Sequence, residues 1–154
     1  MSERGITIRP AVAADTDAVA ACVNAAYELY VPRMGMRPAP MLADYGALIA
    51  GDHVHVLTQG TELLGLIVLE AEPDHLFIEN VAVRPEAQGR GLGRLLLGFA
   101  ESEARRLGLP ELRLYTNELM TENLGLYAHL GYVEVDRRLD EGYRRVFMVK
   151  RLTN

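Results

Sequence analysis

The sequence predicts a mixed α/β fold in which most helices and strands alternate around one sheet. Short apolar runs of strand type occupy residues 53–83, and two patterns of helical period lie near residues 91–107 and 120–130. A hairpin signal surrounds Gly142 near the end of the chain. At 154 residues the chain has the length of a single domain, which we expect to span residues 1–154.

The region before residue 53 predicts one strand followed by two helices. Residues 6–8 alternate as in a strand, and Asp15 is placed to cap a helix with apolar positions at Val19, Cys22, Val23, Ala26 and Tyr30. Prolines and a glycine interrupt residues 31–40, so we expect no regular structure there. Apolar residues between positions 41 and 49 then predict a short helix that ends at Gly51.

The rest of the chain predicts strands separated by two longer helices. HVHVLT and LLGLIVLEA are joined by QGTE as in a hairpin, and the nearly continuous apolarity of LLGLIVLEA predicts a central strand covered on both faces. HLFIENVAV is the third strand of this region. A helix over 91–107, a strand over 111–116 and a helix over 120–130 follow, and a final hairpin turns at Asp140, Glu141 and Gly142.

Charge and composition exclude several classes of partner. Sixteen basic and twenty-one acidic residues give a net charge of -5, so the chain has no overall positive field for nucleic acid or an anionic membrane. No run of about 18 apolar residues suggests a membrane span, and the N-terminal sequence MSERGITIRP is too polar for a signal peptide. The single cysteine, Cys22, cannot form an internal disulfide. We therefore expect a cytoplasmic protein with a small-molecule or protein partner.

Residues 88–94, QGRGLGR, predict an anion-binding loop between a strand and a helix. A glycine-rich turn at the start of a helix exposes unpaired backbone N–H groups, and the helix dipole adds partial positive charge. Phosphate fits such a loop because, without a Cβ, the anion can approach the amides. Arg90 and Arg94 can add charge-assisted hydrogen bonds.

The spacing of these glycines excludes two common phosphate loops. The dinucleotide pattern G-x-G-x-x-G would require a small residue where Arg94 or Leu96 stands, and the P-loop pattern would require a lysine where Phe99 stands. The pattern that fits is Q-x-x-G-x-G, formed by Gln88, Gly91 and Gly93.

Together with its flanking strand and helix, ENVAVRPEAQGRGLGRLLL resembles the acetyl-CoA pyrophosphate loop of the GNAT superfamily of acyl-CoA-dependent N-acyltransferases. NLGLYAHLGY, residues 123–132, resembles the second signature of that family, which places Tyr127 four residues before Gly131. The resemblance covers roughly residues 53–150. It implies a mixed, mostly antiparallel sheet of six to seven strands flanked by about four helices, with two central strands splayed to admit acetyl-CoA.

The resemblance also implies the reaction. An acetyl group would pass from acetyl-CoA, the cosubstrate, to a primary amine by direct attack in a ternary complex, without a metal. Tyr127 would protonate the leaving thiolate, and Glu79 would take the amine proton directly or through water. The N–H and C=O groups of Val81 and Val83 would be free for the acyl carbonyl and the pantetheine amides.

The expected contacts with acetyl-CoA combine both motifs and the strand before the loop. Met120 stands where the family usually has asparagine, so Asn117 and Asn123 are both candidates for the pantetheine contact. The full predicted set is Val81, Ala82, Val83, Gln88, Gly89, Arg90, Gly91, Leu92, Gly93, Arg94, Asn123 and Tyr127.

The acceptor side is expected to lie in residues 27–45, because the first two helices of the GNAT fold and their connection cover the amine side of the groove. Tyr27, Met34 and Asp44 are the candidate contacts, with Asp44 placed to attract a cationic group. The amine could belong to a polyamine, an aminoglycoside, an amino acid, or a protein N-terminus or lysine. A homodimer is an open alternative to a monomer.

Other interpretations remain open at this point. The chain could be a catalytically silent acyl-CoA-binding sensor or scaffold, or a nucleotide-binding protein. Tyr127 could be a core residue of an amphipathic helix, and Glu79 could be an exposed strand residue or a salt-bridge partner. His53 and His55 share a strand face, but two histidines without a third ligand are more often solvent-facing than metal-binding.

Overall fold

The computed structural model describes residues 5–153, which form seven strands and five α-helices. The strands are β1 (Ile6–Pro10), β2 (Val54–Gln59), β3 (Glu62–Ala71), β4 (Leu76–Val83), β5 (Glu111–Asn117), β6 (Val133–Asp140) and β7 (Tyr143–Arg151). The helices are α1 (Thr16–Tyr27), α2 (Tyr30–Met34), α3 (Tyr45–Ala50), α4 (Leu92–Arg106) and α5 (Thr121–His129).

All seven strands belong to one sheet in the order β1-β2-β3-β4-β5-β7-β6. Strands β4 and β5 pair in parallel, whereas β1 with β2, β2 with β3, β5 with β7, and β6 with β7 pair antiparallel. The predicted mixed, mostly antiparallel sheet is confirmed. Helix α4 and helix α5 each begin one residue later and end one residue earlier than the sequence pattern predicts.

The described residues form two compact units. The first contains the residues up to Leu69 together with Asn80–Phe99, and the second contains Glu70–Glu79 together with the residues from Ala100 onward. Strand β4 and helix α4 therefore each contribute to both units.

The core of the first unit is built around β3. Every residue from Leu63 to Val68 is buried, which confirms the prediction of a central strand covered on both faces. A Cβ added at Gly65 would lie only 2.8 Å from the carbonyl oxygen of Ala82, so β3 and β4 approach too closely for any larger residue at this position. Cys22 is fully buried in the same unit, as expected for a small core residue.

The prediction that residues 31–40 are irregular is wrong at both ends of that range, because Tyr30–Met34 form the short helix α2 and Ala39–Leu42 form a 3-10 helix. Pro32 lies in the first turn of α2, where N–H groups need no intrahelical acceptor, so its missing N–H breaks no hydrogen bond. Gly35 ends the helix with a φ of 70°, a conformation suited to glycine. Pro32 in the first turn and Gly35 at the end are therefore both compatible with this helix.

The prediction that Asp15 caps helix α1 is also wrong. Asp15 precedes α1 but makes no side-chain capping bond to it. Instead, Asp15 Oδ2 accepts a hydrogen bond of 2.8 Å from Val12 N, and the carboxylate pairs with Arg9 Nη1 at 2.8 Å. Arg9 lies in β1, one residue beyond the predicted strand. Its contact with Asp15 joins a strand to the start of a helix, so helical spacing could not predict it.

In the second unit, β5 pairs along its whole length with β7 but has only a short register with β4. The parallel register contains three positions, from Leu76 with Leu112 to Ile78 with Leu114. Both strands continue beyond this register, as the resemblance implies for two strands that separate. The predicted hairpin of β6 and β7 is confirmed, and it turns at Glu141 and Gly142, with φ values of 52° and 85°.

Among the residues that the structure describes, no helix is long and apolar enough to cross a membrane. The same residues contain no group of three or more His, Cys, Asp or Glu side chains arranged to hold a metal ion. His53 Nδ1 instead lies 3.1 Å from the carbonyl oxygen of Leu69, and the ring of His55 packs on Phe99.

The Arg9–Asp15 pair should make stability depend on pH. Its hydrogen bond from Arg9 holds the pKa of Asp15 below the ordinary value, so the pair contributes stability above the unfolded-state pKa of about 4 and loses it as pH falls through the lower folded-state value. Asp15→Asn should therefore lower the free energy of unfolding near neutral pH by about 1 kcal/mol or less, because Arg9 is 40% exposed.

Urea unfolding of both proteins across pH 2 to 7 measures this difference. The gap should narrow as pH falls below about 4. A gap of constant size would show that the carboxylate charge contributes nothing.

Candidate active site

The glycine-rich loop leads from β4 through a single 3-10 turn, Pro85–Ala87, into helix α4. Gly89 and Gly91 have φ values of 84° and 77°, in the left-handed region that residues with a Cβ rarely adopt. A Cβ added at either glycine would have no heavy atom within 4 Å. The backbone conformation therefore requires glycine, and the space beside both residues is open.

The first turn of α4 supplies backbone donors to this loop. Leu95 N donates to the carbonyl oxygen of Gly91 over 3.1 Å, and the amides of Leu92, Gly93 and Arg94 come before it in the chain. The first N–H groups of a helix have no intrahelical acceptor, and the helix dipole makes this end positive. The side chain of Leu92 is only 1% exposed, so this residue can offer a ligand only its backbone.

Two polar side chains of the loop are hydrogen-bonded within the chain, and a third is exposed. Gln88 Nε2 donates to the carbonyl oxygen of Val83 at 3.2 Å, and Arg90 Nη2 donates to Gln59 Oε1 at 3.0 Å. Arg94 lies exposed on the first turn of α4. The loop is thus tied to β4 at one end and, through Gln59, to the end of β2 in its middle.

The last part of β4 differs from the expectation in one respect. The carbonyl oxygens of Val81 and Val83 are not free, because Val81 O lies 3.1 Å from the Tyr27 hydroxyl oxygen, whose single proton it shares with Asn80 Oδ1, and Val83 O accepts from Gln88. A carbonyl oxygen has two lone pairs, so each can still accept a second hydrogen bond. Ala82 is 3% exposed, and only its backbone could contact a ligand.

A buried hydrogen-bond network joins β4 to the helical part of the first unit. Tyr27 Oη donates to Asn80 Oδ1 at 2.6 Å, and Asn80 Nδ2 donates to Tyr45 Oη at 3.0 Å. Tyr45 Oη in turn donates to the carbonyl oxygen of Pro40 at 2.6 Å. Asn80, Tyr27 and Tyr45 are each less than 7% exposed, so this network fixes α1, the segment after α2 and the start of α3 on β4.

The three predicted acceptor contacts have different surroundings. Tyr27 is buried in the network just described, Met34 is partly exposed at the end of α2, and Asp44 is exposed. Asp44 Oδ1 accepts from Ala47 N at 3.1 Å and caps helix α3. Their role at an acceptor site stays a prediction.

In the second unit, Tyr127 lies buried on α5. Its ring is 7% exposed and meets the ring of Tyr132 edge-on at 5.8 Å. Asn123 Nδ2 lies 3.7 Å from Met120 Sδ, whereas Asn117 Oδ1 accepts from Leu119 N at 2.9 Å and Asn117 is 9% exposed. Both asparagines thus have a partner within the chain, and both stay predicted candidates for the pantetheine contact.

Glu79 is partly buried on β4, in the row of outward positions that also contains Phe77. The next residue, Asn80, lies on the opposite, buried row with Leu76, Ile78 and Ala82. Sequence analysis did not identify Asn80, although a polar residue on an otherwise apolar row was a visible signal. Tyr115 of β5 and Arg145 of β7 were likewise not predicted as site residues.

One cavity of about 870 Å³ lies on the sheet surface of the second unit and contains none of the predicted site residues. Its wall includes Phe77, Phe147 and Val135. Two of its three arginines are paired within the rim, Arg113 with Glu111 at 2.6 Å and Arg138 with Asp136, whereas the third, Arg151, lies 3.9 Å from Glu111. The rim thus holds three arginines and two acidic side chains.

The fold and the loop geometry agree with the comparisons with known proteins. Residues 18–132 match the model of the acetyltransferase (GNAT) family. The chain belongs to this family. The GNAT assignment agrees with the resemblance seen in the two sequence motifs.

Relatives in the GNAT family include a mycothiol acetyltransferase of Jonesia denitrificans, 36% identical over 94 residues that cover 58% of this chain and 30% of that protein. A [ribosomal protein bS18]-alanine N-acetyltransferase of Haemophilus influenzae is 30% identical over 82 residues, which cover 53% of this chain and 56% of that protein. The chain therefore matches less than two thirds of the length of either relative.

A solved structure shares the GNAT fold over nearly the whole chain. The PaiA N-acetyltransferase of Thermoplasma acidophilum, in complex with coenzyme A, superposes with a TM-score of 0.78 at 17% identity and covers 99% of this chain and 100% of that one.

A phosphate-binding role for the loop predicts the effect of adding a side chain to it. Gly91→Val should weaken acetyl-CoA binding at least about tenfold, or ~1.4 kcal/mol, because the side chain would fill the open space beside the amides and disfavour the left-handed backbone. Isothermal titration calorimetry with acetyl-CoA measures this change.

Gly108→Val is the matched control, since Gly108 also has a positive φ, 72°, and open space beside it but lies after α4. The control should keep wild-type affinity. Equal affinities for all three proteins would refute the phosphate site.

Proposed function

We propose that this chain transfers an acetyl group from acetyl-CoA to a primary amine by direct attack in a ternary complex. The observation that supports this most is the loop at the start of α4, where two left-handed glycines leave open space beside a row of helix N-terminal amides. Such an arrangement fits the pyrophosphate of coenzyme A. The family match and the coenzyme A-bound neighbour support the same ligand.

In the proposed reaction, the amine nitrogen attacks the thioester carbonyl carbon, a C–N bond forms and the C–S bond breaks. The backbone N–H of Val81 would stabilise the oxyanion, a role that preorganised backbone donors commonly perform. Glu79 would accept the proton that the amine loses. Tyr127 would give its phenol proton to the departing sulfur, since an ordinary phenol remains protonated at neutral pH.

For the acceptor we propose only a class, a primary amine on a peptide or on a small molecule. One relative is named for an alanine of a ribosomal protein and another for mycothiol, so both peptide and small-molecule amines belong in a first panel. The net charge of -5 favours amines without additional negative charge.

Two measurements test this function. Titration calorimetry should show acetyl-CoA binding much more tightly than NAD, and incubation with a panel of peptide and small-molecule amines should release free thiol. Binding without thiol release from any amine would favour a silent acyl-CoA sensor or scaffold, and tighter binding of NAD would refute the proposal.

Tyr127→Phe tests the proposed acid. The variant keeps the ring and its edge-on contact with Tyr132, so only the proton donor is lost. The maximal rate should fall roughly 10²-fold, with acetyl-CoA affinity nearly unchanged. An unchanged rate would make Tyr127 a core residue only.

Tyr132→Phe is the matched control, because it removes a hydroxyl from the other ring of the same pair. Among the described residues, Tyr132 Oη is buried without a hydrogen-bond partner, and burial raises the pKa of this phenol. A buried unsatisfied hydroxyl costs about 1 kcal/mol or more. The control should therefore keep its activity and unfold at higher denaturant concentration than the wild type.

Asp44→Asn tests the acceptor side. Asparagine caps a helix as well as aspartate does, so the variant removes the charge and keeps the cap of α3. The Michaelis constant for a cationic amine should rise several-fold while that for acetyl-CoA stays the same. Steady-state kinetics that give equal amine constants would place acceptor selection elsewhere.

A further inference from the structure

Tyr115 of β5 and Glu79 of β4, the proposed base, lie on the same face of the sheet in the second unit, and the charge of Glu79 acts on the Tyr115 phenol. Phe77 and Arg113 are partners in the parallel register of β4 and β5. Glu79 and Tyr115 each lie two residues beyond these partners, and residues two apart on a strand share a face. The rings of Phe77 and Tyr115 meet at 5.5 Å, which confirms that these side chains share one face.

The ring of Tyr115 is held on several sides. Phe77 packs on it from β4 and Phe147 from β7, with ring centroids 5.5 Å away in each case. The guanidinium of Arg145 stacks over the same ring at 4.1 Å. No hydrogen bond of the Tyr115 hydroxyl is seen among residues 5–153, so its position is set by ring contacts.

Arg145 connects this ring to the turn between β6 and β7. It is only 5% exposed, and its Nη1 donates to Asp140 Oδ2 at 2.8 Å and to Glu141 Oε1 at 3.0 Å. A buried arginine requires such carboxylate partners. Glu141 supplies one from a φ of 52°, where glycine or asparagine is the usual residue.

Four charged groups face Tyr115, namely Glu79 from β4, Arg145 from β7, Asp140 from the end of β6 and Glu141 from the turn. Burial raises the pKa of Tyr115, Arg145 lowers it, and the three carboxylates raise it again. The direction is upward, so the hydroxyl keeps its proton at neutral pH. It can donate one hydrogen bond and accept others, but it cannot act as the base.

We propose that Tyr115 is a further catalytic residue, whose hydroxyl binds the acceptor amine beside Glu79, and that Arg145 is a positioning residue that holds the ring of Tyr115. This inference rests on the proposed acetyl transfer. It places the amine between a carboxylate and a phenol rather than at a carboxylate alone.

In the acetyl transfer, Tyr115 neither gains nor loses a proton. The amine proton passes to Glu79 and the phenol proton of Tyr127 passes to the sulfur, as the C–N bond forms and the C–S bond breaks. The oxygen of Tyr115 accepts a hydrogen bond from the remaining N–H, and its own O–H donates to the Glu79 carboxylate. These two bonds would aim the nitrogen lone pair at the thioester, an orientation that speeds attack.

Tyr115→Phe is the first test, because it keeps the ring stack and removes only the hydroxyl. The value of kcat/KM for the amine should fall about tenfold, the effect of one lost hydrogen bond in the transition state, with acetyl-CoA affinity unchanged. The acidic limb of the pH profile of kcat should move to higher pH, since in the complex with the amine a carboxylate that loses a donor is protonated more easily. A purely structural ring would move neither quantity.

Tyr143→Phe is the matched control, because the Tyr143 ring also lies against Arg145, at 5.3 Å, but at the start of β7. It should keep the wild-type kcat/KM and pH profile. An equal loss in both tyrosine variants would refute a specific role for Tyr115.

Arg145→Lys tests the positioning role through a double-mutant cycle. Lysine keeps the charge but lacks the planar group that stacks on the ring and bridges two carboxylates. Arg145→Lys should lower kcat/KM severalfold in the wild type and have no further effect in the Tyr115→Phe background. Additive losses would show that Arg145 acts independently of the hydroxyl.

The outcomes separate this inference from the proposed function. If the wild type releases no thiol with any amine, both fail together. If the wild type is active and Tyr115→Phe matches it in rate and pH profile, acetyl transfer stands and the role of Tyr115 is refuted.

Discussion

The burial of Asn80 is the constraint on which the first unit depends. Asn80 stands on the inward row of β4 among apolar residues and is 6% exposed. A buried amide is costly unless its donors and acceptors are paired. Tyr27 and Tyr45 supply the partners, so α1 and α3 must dock where their hydroxyls reach β4. The same Tyr27 hydroxyl contacts the carbonyl oxygen of Val81, which ties the backbone of the proposed oxyanion site to this network.

The second unit also buries a polar side chain, in this case the charged guanidinium of Arg145. Arg145 is buried on β7 and is satisfied by Asp140 and Glu141 at the hairpin turn and by the face of Tyr115. A residue with a long side chain at a positive φ is unfavourable in isolation. Glu141 nevertheless reaches Arg145 from this conformation, so the turn supplies one of the two carboxylates that accept from the buried cation. Arg145 in turn stacks on Tyr115, which shares a sheet face with Glu79.

Much of the proposed acetyl-CoA site consists of backbone rather than side chains. Ala82 and Leu92 turn their side chains inward, while Gly89 and Gly91 offer none. For this reason the short glycine motif is enough to predict an anion-binding loop. Where the ligand contacts amides, the residue types are restricted by φ and by space, and both restrictions appear directly in the sequence as glycine.

The sequence alone determined the elements whose causes are local. The glycine loop, the period of α4, the apolar run of β3 and the final hairpin could all be predicted because each depends on neighbouring residues. The tertiary structure alone decided the partners that come from distant strands, namely Arg9 for Asp15, Tyr27 and Tyr45 for Asn80, and Arg145 for Tyr115. It also decided that Pro32 lies inside a helix. The physical reason is that hydrogen bonds and ring contacts depend on strand register and helix docking, which are fixed only when the whole core is packed.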